Sequence, residues 1–252
     1  MRKNKLGPEA TLRSQQEREA AKRYAEIFEK SPESTESKLQ SFPKYIRRQD
    51  ATRFLACYEI FKKIMGMKGS IVECGVYRGF TLMTWALVST ILEPVNLTRR
   101  IYGFDTFQGF PSASKKDKNK FRTIKAKELS SNSYSELNEI ISIHDLNRFL
   151  GHVKKIDLIK GKAQKTIPQF IKDNPHLVIS LLFLDFDLYE PTKIAIKNFY
   201  PRIPKGGIIA FDELDNPIWP GETQAVLDTV GIGKLKIQRL EFDPYIGFVV
   251  KE

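Results

Sequence analysis

Acidic residues follow two strongly apolar segments in the second half of the chain. They are Asp185 and Asp187 after residues 178–184, and Asp212 and Glu213 after residues 207–211. If these segments are neighbouring interior strands, their acids meet at one edge of a sheet. Crowded carboxylates are costly unless a cation neutralises them, and hard oxygen ligands suit Mg²⁺ or Ca²⁺. The alternative is that some of these acids cap the helices after them or pair with lysine or arginine.

A turn with two glycines follows an earlier apolar segment. Gly75 and Gly79 let the backbone turn tightly and approach a ligand closely. A helix that begins there offers backbone N–H groups to an anion such as a carboxylate, with which Arg78 can also pair. The glycine spacing differs from the G-x-G-x-x-G of dinucleotide sites, which argues against a dehydrogenase. A plain strand-to-helix turn is the alternative.

Asp105 ends the next apolar segment, about thirty positions after Gly75. An acid at the end of the second strand of such a fold can accept hydrogen bonds from ribose hydroxyls. A turn or helix-capping aspartate is the alternative. Together with Gly75, Asp105 favours a cofactor that contains a nucleoside.

Short apolar segments alternate with helix-like segments from residue 50 onward. This alternation predicts a mostly parallel sheet buried on both faces by helices. The last two strand-like segments, joined by a turn near residues 243–244, predict a terminal antiparallel hairpin. The predicted strands are 70–74, 101–104, 156–159, 178–184, 207–211, 235–242 and 245–251, and the predicted helices are 54–65, 81–91, 135–150, 163–172, 192–200 and 223–230. Ligands bind beyond the carboxyl ends of the strands in such sheets, so the residues above are expected at one site.

The first 49 residues differ from the rest in being polar, charged and poor in aliphatic side chains. Residues 9–29 have helical composition with a thin apolar stripe, and residues 31–38 have the composition of a linker. We therefore expect a helical arm and linker over residues 1–49, followed by one domain over residues 50–252. The arm is expected to pack on a partner subunit, giving a homodimer or larger assembly, or to cover the active site.

The bulk composition limits the function classes. No apolar run has the length of a membrane span, the charged start of the chain lacks the apolar core of a signal peptide, and Cys57 and Cys74 are the only cysteines. A reducing cytoplasm fits this pattern. The formal net charge of +11 favours acidic partners. Nucleic acid is not expected among them, because the lysine clusters are not interleaved with aromatic residues.

Four stretches together resemble the macrocin-type sugar O-methyltransferase family of class I S-adenosylmethionine-dependent methyltransferases. They are residues 71–79, 103–111, 184–192 and 200–213. The resemblance implies a Rossmann-like α/β fold with a mostly parallel seven-stranded sheet, a C-terminal antiparallel hairpin and helices on both faces. It implies S-adenosylmethionine as methyl donor and Mg²⁺ as a second cofactor. The implied acceptor is a small-molecule hydroxyl, foremost on a sugar of a glycosylated natural product or glycan.

The same resemblance implies which residues bind the donor. Glu73, Gly75 and Arg78 are implied at the methionine end, Asp105 at the ribose, and the turn over residues 160–163 beside the adenine. The full set of implied cofactor-binding residues is Glu73, Gly75, Tyr77, Arg78, Gly79, Asp105, Thr106, Gln108, Gly161, Ala163 and Asp185.

The resemblance also assigns the metal. It implies Mg²⁺ held by Asp185, Asp212 and Glu213, the last standing where the family usually has a second aspartate. Relatives have a histidine proposed as base after the second strand, but residues 115–142 contain no histidine. Asp187, or a water on the metal, is therefore the candidate base. Asp185 and Asp187 are the candidate catalytic residues.

The implied reaction is in-line attack of an acceptor hydroxyl oxygen on the sulfonium methyl group. A metal lowers the pKa of the hydroxyl, a nearby carboxylate takes the proton, and alignment of oxygen, methyl and sulfur lowers the barrier. The lysine-rich loop over residues 112–120 and the arm are candidate lids. Two other functions stay open from sequence alone. One is a non-catalytic nucleoside-binding or interaction protein, and the other is a nucleic-acid methyltransferase, motivated by the net charge.

Overall fold

The computed structural model describes residues 14–252, which form two compact units, one up to Arg53 and one from Phe54. In the first unit, α1 (Gln15–Lys30) follows Ser14, whose hydroxyl accepts a hydrogen bond from the Glu17 N–H while the Glu17 carboxylate accepts one from the Ser14 N–H. This reciprocal capping box satisfies two N–H groups at the helix start. The predicted arm helix is thus present from residue 15, and residues 9–13 lie outside the described part of the chain.

The linker predicted over residues 31–38 is wrong in its second half. The helix α2 (Thr35–Gln40) begins there, and the hydroxyl of Ser34 caps it by accepting a hydrogen bond from the Ser37 N–H. Serine just before a helical segment is a strong start signal, which the polar composition of the segment concealed. The next elements are a short 3₁₀ helix, Phe42–Lys44, and then α3, Arg48–Ile64, which crosses the division between the units.

The second unit is built on a seven-stranded sheet in the order β3-β2-β1-β4-β5-β7-β6. Its strands are β1 (Ser70–Cys74), β2 (Ile101–Asp105), β3 (Ile156–Lys160), β4 (Ile179–Leu184), β5 (Ile208–Phe211), β6 (Gln238–Arg239) and β7 (Gly247–Val250). The first five strands are parallel to one another, whereas β7 pairs antiparallel with β5 and with β6. The predicted parallel sheet with a terminal antiparallel hairpin is confirmed.

Helices cover both faces of the sheet. They are α4 (Phe80–Leu92), α5 (Tyr134–Leu146), α6 (Ala163–Asp173), α7 (Tyr189–Phe199) and α8 (Pro220–Leu227). Successive β4 residues point to opposite faces: Leu181 packs in the core beneath α3, α4 and α5, and Leu182 packs in the core beneath α6, α7 and α8. A strand buried on both faces needs a continuous apolar run, which is why the period-two pattern of a half-exposed strand is absent here.

Several predicted boundaries are wrong, for local reasons. α8 begins at Pro220, three residues before its predicted start, and Pro191 lies in the first turn of α7, which begins at Tyr189. Proline is tolerated in the first turn because the N–H it lacks has no intrahelical acceptor there. β6 has two residues, both exposed, in place of the eight predicted for residues 235–242. None of the helices within residues 14–252 has the length and apolar character needed to cross a bilayer.

A buried arginine joins the elements at the amino-terminal edge of the sheet. Arg99 is 2% exposed, and its Nε lies 2.6 Å from Oε1 of Glu93. One terminal nitrogen donates to Oγ of Ser180 at 2.6 Å, and the other donates to the carbonyl oxygens of Ile64 and Met67 at 3.0 Å each. Arg99 therefore satisfies carbonyl groups at the end of α3 while its own charge is neutralised.

Candidate active site

The glycine turn after β1 packs directly on the segment that carries Asp185. Strand order reverses between β1 and β4, which is where ligands bind in sheets of this type. Gly75 has a φ of +100°, and a Cβ built on it would lie 1.9 Å from the carbonyl oxygen of Asp185. Only glycine fits there. The structure thus brings the predicted donor turn and the first predicted acid together.

Asp105 holds the glycine turn in place. Its Oδ2 accepts hydrogen bonds from the N–H groups of Val76 (2.9 Å) and Tyr77 (2.8 Å), and its Oδ1 accepts one from Phe107 (2.6 Å). Tyr77 and Phe107 have φ values of +51° and +55°, which is unusual for residues with a side chain. The carboxylate therefore stabilises two tight turns at once. Its contact with a ribose stays a prediction.

The turn after β3 lies beside Asp105, as expected for three loops at the carboxyl edge. The N–H of Gly161 donates to the carbonyl oxygen of Asp105 at 2.9 Å, and α6 begins at the buried Ala163. In the β2 loop, the Thr106 hydroxyl donates to a carbonyl of its own turn at 2.8 Å and accepts from the N–H of Gln108 at 3.1 Å. These predicted cofactor residues therefore follow consecutive strands.

The remaining predicted donor residues flank the start of α4. Gly79 is the N-cap of this helix, whose first turn presents N–H groups that have no intrahelical acceptors. Tyr77 and Arg78 are both exposed, and the guanidinium carbon of Arg78 lies 5.2 Å from the centre of the Tyr77 ring. Glu73 is fully buried within β1. The arrangement leaves Arg78 accessible to an anionic group, whereas Glu73 is enclosed by the sheet.

Asp185 and Asp212 follow neighbouring parallel strands. The N–H of Asp185 donates to the carbonyl oxygen of Cys74 at 2.7 Å, and that of Asp212 donates to Leu184 at 3.0 Å, so strand pairing continues through both acids. Glu213 is 6% exposed, and its carboxylate accepts a hydrogen bond from the Asn216 amide. Within residues 14–252, no three His, Cys, Asp or Glu side chains are arranged as a metal site.

Two of the three predicted metal ligands nevertheless suit a hard divalent cation. Mg²⁺ keeps several water ligands and commonly takes only one or two protein carboxylates, which Asp185 and Asp212 supply from adjacent strands. Glu213 joins them only if its hydrogen bond to Asn216 opens. Asp185 and Asp212 therefore suit Mg²⁺, whereas binding by Glu213 depends on its hydrogen bond to Asn216.

Asp187 lies at the junction of β4 and α7, where the backbone is tightly turned. Its φ is +60°, it is 7% exposed, and the next residue, Leu188, donates its N–H to Phe186 across the turn at 2.6 Å. The first N–H of α7, on Tyr189, donates to Oδ1 of Asp117 at 2.7 Å. Asp117, in the loop after β2, therefore caps α7 from a distant part of the chain.

The loop after β2 has a structural role that its sequence does not reveal. A small apolar cluster of Phe110, Leu188, Ile218 and Trp219 joins the loops after β2, β4 and β5. The Asn119 side chain donates to the carbonyl oxygen of Ile218 at 2.8 Å. The lysine-rich loop is thus docked across the carboxyl edge of the sheet by apolar and polar contacts. The low-complexity composition of the loop does not indicate that it is docked. Its opening as a lid stays a prediction.

The same loop is also held by charge. The Lys116 ammonium pairs with the Asp228 carboxylate at the end of α8, which also accepts a hydrogen bond from the Tyr189 hydroxyl. Lys193 donates to that hydroxyl at 2.7 Å. The hydrogen bonds from Lys116 and Tyr189 lower the pKa of Asp228, and the bond to Asp228 raises the pKa of Lys116. These side chains pin the loop to α7 and α8.

His144 is not placed to act as the base. It lies in the last turn of α5, at the opposite edge of the sheet from the acids, and its Nε2 is 3.3 Å from the hydroxyl of Thr90. Burial lowers its pKa, so the neutral ring is favoured at neutral pH. These contacts give His144 a structural role between α5 and α4.

The strand order and the site define a class. A seven-stranded sheet of this order, with an antiparallel seventh strand and a glycine turn beside an acid at the switch point, is the fold of class I S-adenosylmethionine-dependent methyltransferases. The profile of the Macrocin-O-methyltransferase (TylF) family matches residues 13–241. The chain belongs to this family, and the predicted family and fold are confirmed.

Solved structures extend the match over most of the chain. The chain is 33% identical to the calicheamicin methyltransferase CalS11, with a TM-score of 0.90 over 94% of this chain and 93% of that one. A second structure, described as apo CalS11, TDP-rhamnose 3'-O-methyltransferase, is 32% identical with a TM-score of 0.83 over 94% and 95%. The O-methyltransferase NovP, at 18% identity and a TM-score of 0.58, shares the fold alone.

Two curated relatives come from Streptomyces. The chain is 25% identical over 152 residues to the 8-demethyl-8-(2,3-dimethoxy-alpha-L-rhamnosyl)-tetracenomycin-C 4'-O-methyltransferase of Streptomyces olivaceus, covering 59% of this chain and 54% of the relative. It is 26% identical over 150 residues to the demethyldecarbamoylnovobiocin O-methyltransferase of Streptomyces niveus, covering 58% and 52%. The chain matches about half the length of these curated relatives.

Proposed function

We propose that this protein transfers a methyl group from S-adenosylmethionine to a hydroxyl of a sugar. The observation that carries the proposal is the packing of Gly75 on the backbone of Asp185, in a chain of the macrocin O-methyltransferase family. This contact supports the proposal because it joins the glycine turn, where we propose that the donor binds, to the segment that carries an acid. Acids at the ends of β4 and β5 favour an enzyme over a nucleoside-binding protein without chemistry.

The donor is assigned to the loops after β1, β2 and β3. The start of α4 and Arg78 are proposed to bind its carboxylate, because helix amino ends and arginine both favour anions. Asp105 is proposed at the ribose, where one further hydrogen bond would join the three it already accepts from the backbone. The Gly161 turn is proposed beside the adenine.

The chemistry is assigned to the acids. Asp187 is proposed to take the proton from the acceptor hydroxyl, whose oxygen then bonds to the methyl carbon as the carbon–sulfur bond breaks, leaving S-adenosylhomocysteine. Asp185 and Asp212 are proposed to hold Mg²⁺, with Glu213 conditional on release from Asn216. When bound, the metal would lower the pKa of the acceptor hydroxyl. Alignment of the two substrates supplies much of the remaining rate enhancement.

The acceptor is proposed to be a sugar linked to a nucleoside diphosphate. CalS11 is described as a TDP-rhamnose 3'-O-methyltransferase, and its similarity covers 94% of this chain. The β2 loop, docked at the carboxyl edge, presents exposed lysines that suit a diphosphate; they are Lys115, Lys118, Lys120, Lys125 and Lys127. Clustered positive charge steers anionic substrates toward a cleft and concentrates them there.

Assembly and location are proposed from the arm and the cysteines. The face of α1 carries the exposed apolar residues Tyr24, Ile27 and Phe28, which a second copy would cover in a homodimer or larger assembly. Cys57 and Cys74 are buried and form no disulfide, which supports the cytoplasm. Light scattering of the full chain and of a variant with Ile27→Glu tests the assembly, and an unchanged mass would contradict it.

The test of the function is transfer of a labelled methyl group to matched acceptors. We expect transfer to TDP-linked deoxysugars and a lower rate with the same sugars as free glycosides. Asp185→Ala should keep the affinity for S-adenosylhomocysteine, measured by calorimetry, and lose turnover. Excess chelator should cause the same loss of turnover in the wild-type protein. Tight donor binding without transfer to any acceptor would instead support a non-catalytic nucleoside-binding protein. Activity that survives both perturbations would remove the metal from the proposal.

A further inference from the structure

A buried aspartate in the lysine-rich loop connects that loop to the catalytic acids. Asp117 is 2% exposed and ends a 3₁₀ helix, Lys115–Asp117. Its Oδ2 accepts a hydrogen bond from the Ser114 N–H at 2.6 Å, and its Oδ1 accepts one from the Tyr189 N–H at 2.7 Å. One carboxylate thus closes its own turn and caps α7, although 72 positions separate Asp117 and Tyr189. A negative charge at a helix amino end is stabilising.

We propose that Asp117 is a positioning residue that sets the geometry of Asp185 and Asp187 for methyl transfer. The inference rests on the proposed function of those two acids. Tyr189 is two residues after Asp187, and the turn between them is tight, so the bond to Asp117 fixes the backbone that carries both acids. The N-cap of α7, Leu188, makes no side-chain capping bond of its own. Asp117 therefore supplies a restraint that the local sequence lacks.

The segment that carries Gly221 packs against the hydrogen bond between Asp117 and Tyr189, so a third loop meets the other two there. A Cβ at Gly221 would lie 2.1 Å from Oδ1 of Asp117, 2.5 Å from the Tyr189 nitrogen and 3.0 Å from the Asp187 carbonyl oxygen. The start of α8, reached from β5 through the segment that carries Asp212, thus packs on the Asp117–Tyr189 hydrogen bond. Loops after β2, β4 and β5 meet at this point.

Asp117 itself is not placed to touch the substrate. Both its oxygens accept backbone hydrogen bonds, and the side chain is enclosed. Its influence therefore passes through the backbone of the β4–α7 junction. The neighbouring Lys116 and Asn119 anchor the loop to Asp228 and Ile218, so the cap on α7 depends on a docked loop. When the loop is docked, the backbone that carries Asp185 and Asp187 is held in one position.

The proposal is tested with two independent disruptions and two matched controls. Asp117→Ala removes both hydrogen bonds, and Gly221→Ala forces the loops apart while the Asp117 carboxylate is kept. Glu93→Ala removes another largely buried carboxylate, at the opposite edge of the sheet, and Gly233→Ala adds a methyl group where no atom lies within 4 Å. Each full-length variant is compared for kcat, acceptor KM, donor affinity, thermal stability and amide hydrogen exchange of residues 185–192.

We expect kcat to fall about a hundredfold in Asp117→Ala and Gly221→Ala, because a displacement near 1 Å of a catalytic group has that effect. Donor affinity should stay within about twofold, because the residues proposed to bind the donor make none of these contacts, and exchange in residues 185–192 should rise. Glu93→Ala should lose stability and keep kcat, and Gly233→Ala should match wild type. Asp117→Asn, which keeps one acceptor oxygen, should lose about tenfold in kcat.

The outcomes separate this proposal from the proposed function. Folded Asp117→Ala with kcat within about twofold of wild type, or with unchanged exchange in residues 185–192, overturns the positioning role. If Asp117→Ala does not fold, Gly221→Ala and Asp117→Asn decide by the same criteria. A wild-type protein that methylates no acceptor, combined with raised exchange in the variants, would refute the proposed function and leave the structural coupling supported.

Discussion

Replacing Gly75 with alanine tests whether the donor turn and the acids form one site. The new Cβ would lie 1.9 Å from the carbonyl oxygen of Asp185, whereas Cβ contacts under 3.0 Å are essentially never seen. The turn after β1 and the start of the β4 loop must therefore separate by about 1.1 Å, the difference between these distances. No flexible side chain is available to yield, because the opposing atom belongs to the backbone.

Two effects determine how much Gly75→Ala lowers activity. A φ of +100° at position 75 is adopted rarely by residues with a side chain, at a cost of about 1–2 kcal/mol. The enforced displacement adds to this and moves Asp185 relative to the donor turn. Because misplacement of reacting groups by about 1 Å lowers rates about a hundredfold, kcat/KM should fall by at least that factor. Donor affinity should fall as well, since the turn itself is distorted.

The assay combines methyl transfer with calorimetric titration of S-adenosylhomocysteine. Gly66→Ala is the matched control, because its Cβ would meet no atom within 4 Å, and it should retain the activity and affinity of wild type. Thermal unfolding separates a folded, inactive variant from an unstable one. A folded Gly75→Ala protein with donor affinity and kcat/KM within about threefold of wild type would refute the shared site.

Three further predictions concern other parts of the molecule. Arg99→Met should lower the free energy of unfolding by about 3–5 kcal/mol, because Glu93 would keep a largely buried charge without its partner; chemical denaturation measures this, and a loss below about 1 kcal/mol would contradict it. The pKa of Asp228 is lowered in the folded state, so its carboxylate stabilises the fold above its unfolded pKa and this contribution is lost as pH falls through the folded pKa. The stability difference between wild type and Asp228→Asn should therefore shrink below about pH 4, and a difference that is constant from pH 7 to pH 3 would argue against the pairing. Charge reversal of Lys118 and Lys120 together should raise KM for a TDP-linked sugar and weaken its dependence on salt, while KM for a neutral glycoside stays constant.

The sheet was predictable because its information is local and repeated. β4 is an apolar run interrupted only by Ser180, and each such run between helical segments independently predicts a buried parallel strand. The terminal hairpin was less well defined, because β6 is an exposed edge strand of two residues whose length depends on pairing with β7. Local composition cannot determine how many residues of such an edge form hydrogen bonds.

Sequence could predict that the candidate site residues lie at one edge of the sheet, but it could not predict their hydrogen bonds. Sequence placed Asp105 at the end of β2, but gave no sign that its oxygens bind the backbone of the turn after β1, because that contact crosses between loops. Asp117 is surrounded by lysines, which predicts a solvated loop. Its burial arises only because α7 presents an N–H group at that point. The topology predicts that acids at the ends of neighbouring strands lie together. A cap that joins two loops distant in sequence depends on how those loops pack in three dimensions.

The loop between β2 and α5 therefore belongs to the site along its whole length. Asp105, the last residue of β2, binds the glycine turn, and near the end of the loop the hydroxyl of Ser133 donates to the carbonyl oxygen of Tyr77 in that same turn at 2.5 Å. In between, Asp117 binds the start of α7, next to Asp187. A single connection thus contacts the proposed donor side at both ends and the proposed acceptor side in the middle. Although these contacts share one chain segment, the contact of Asp117 lies in its middle, so a change there is expected to disturb the acids more than donor binding.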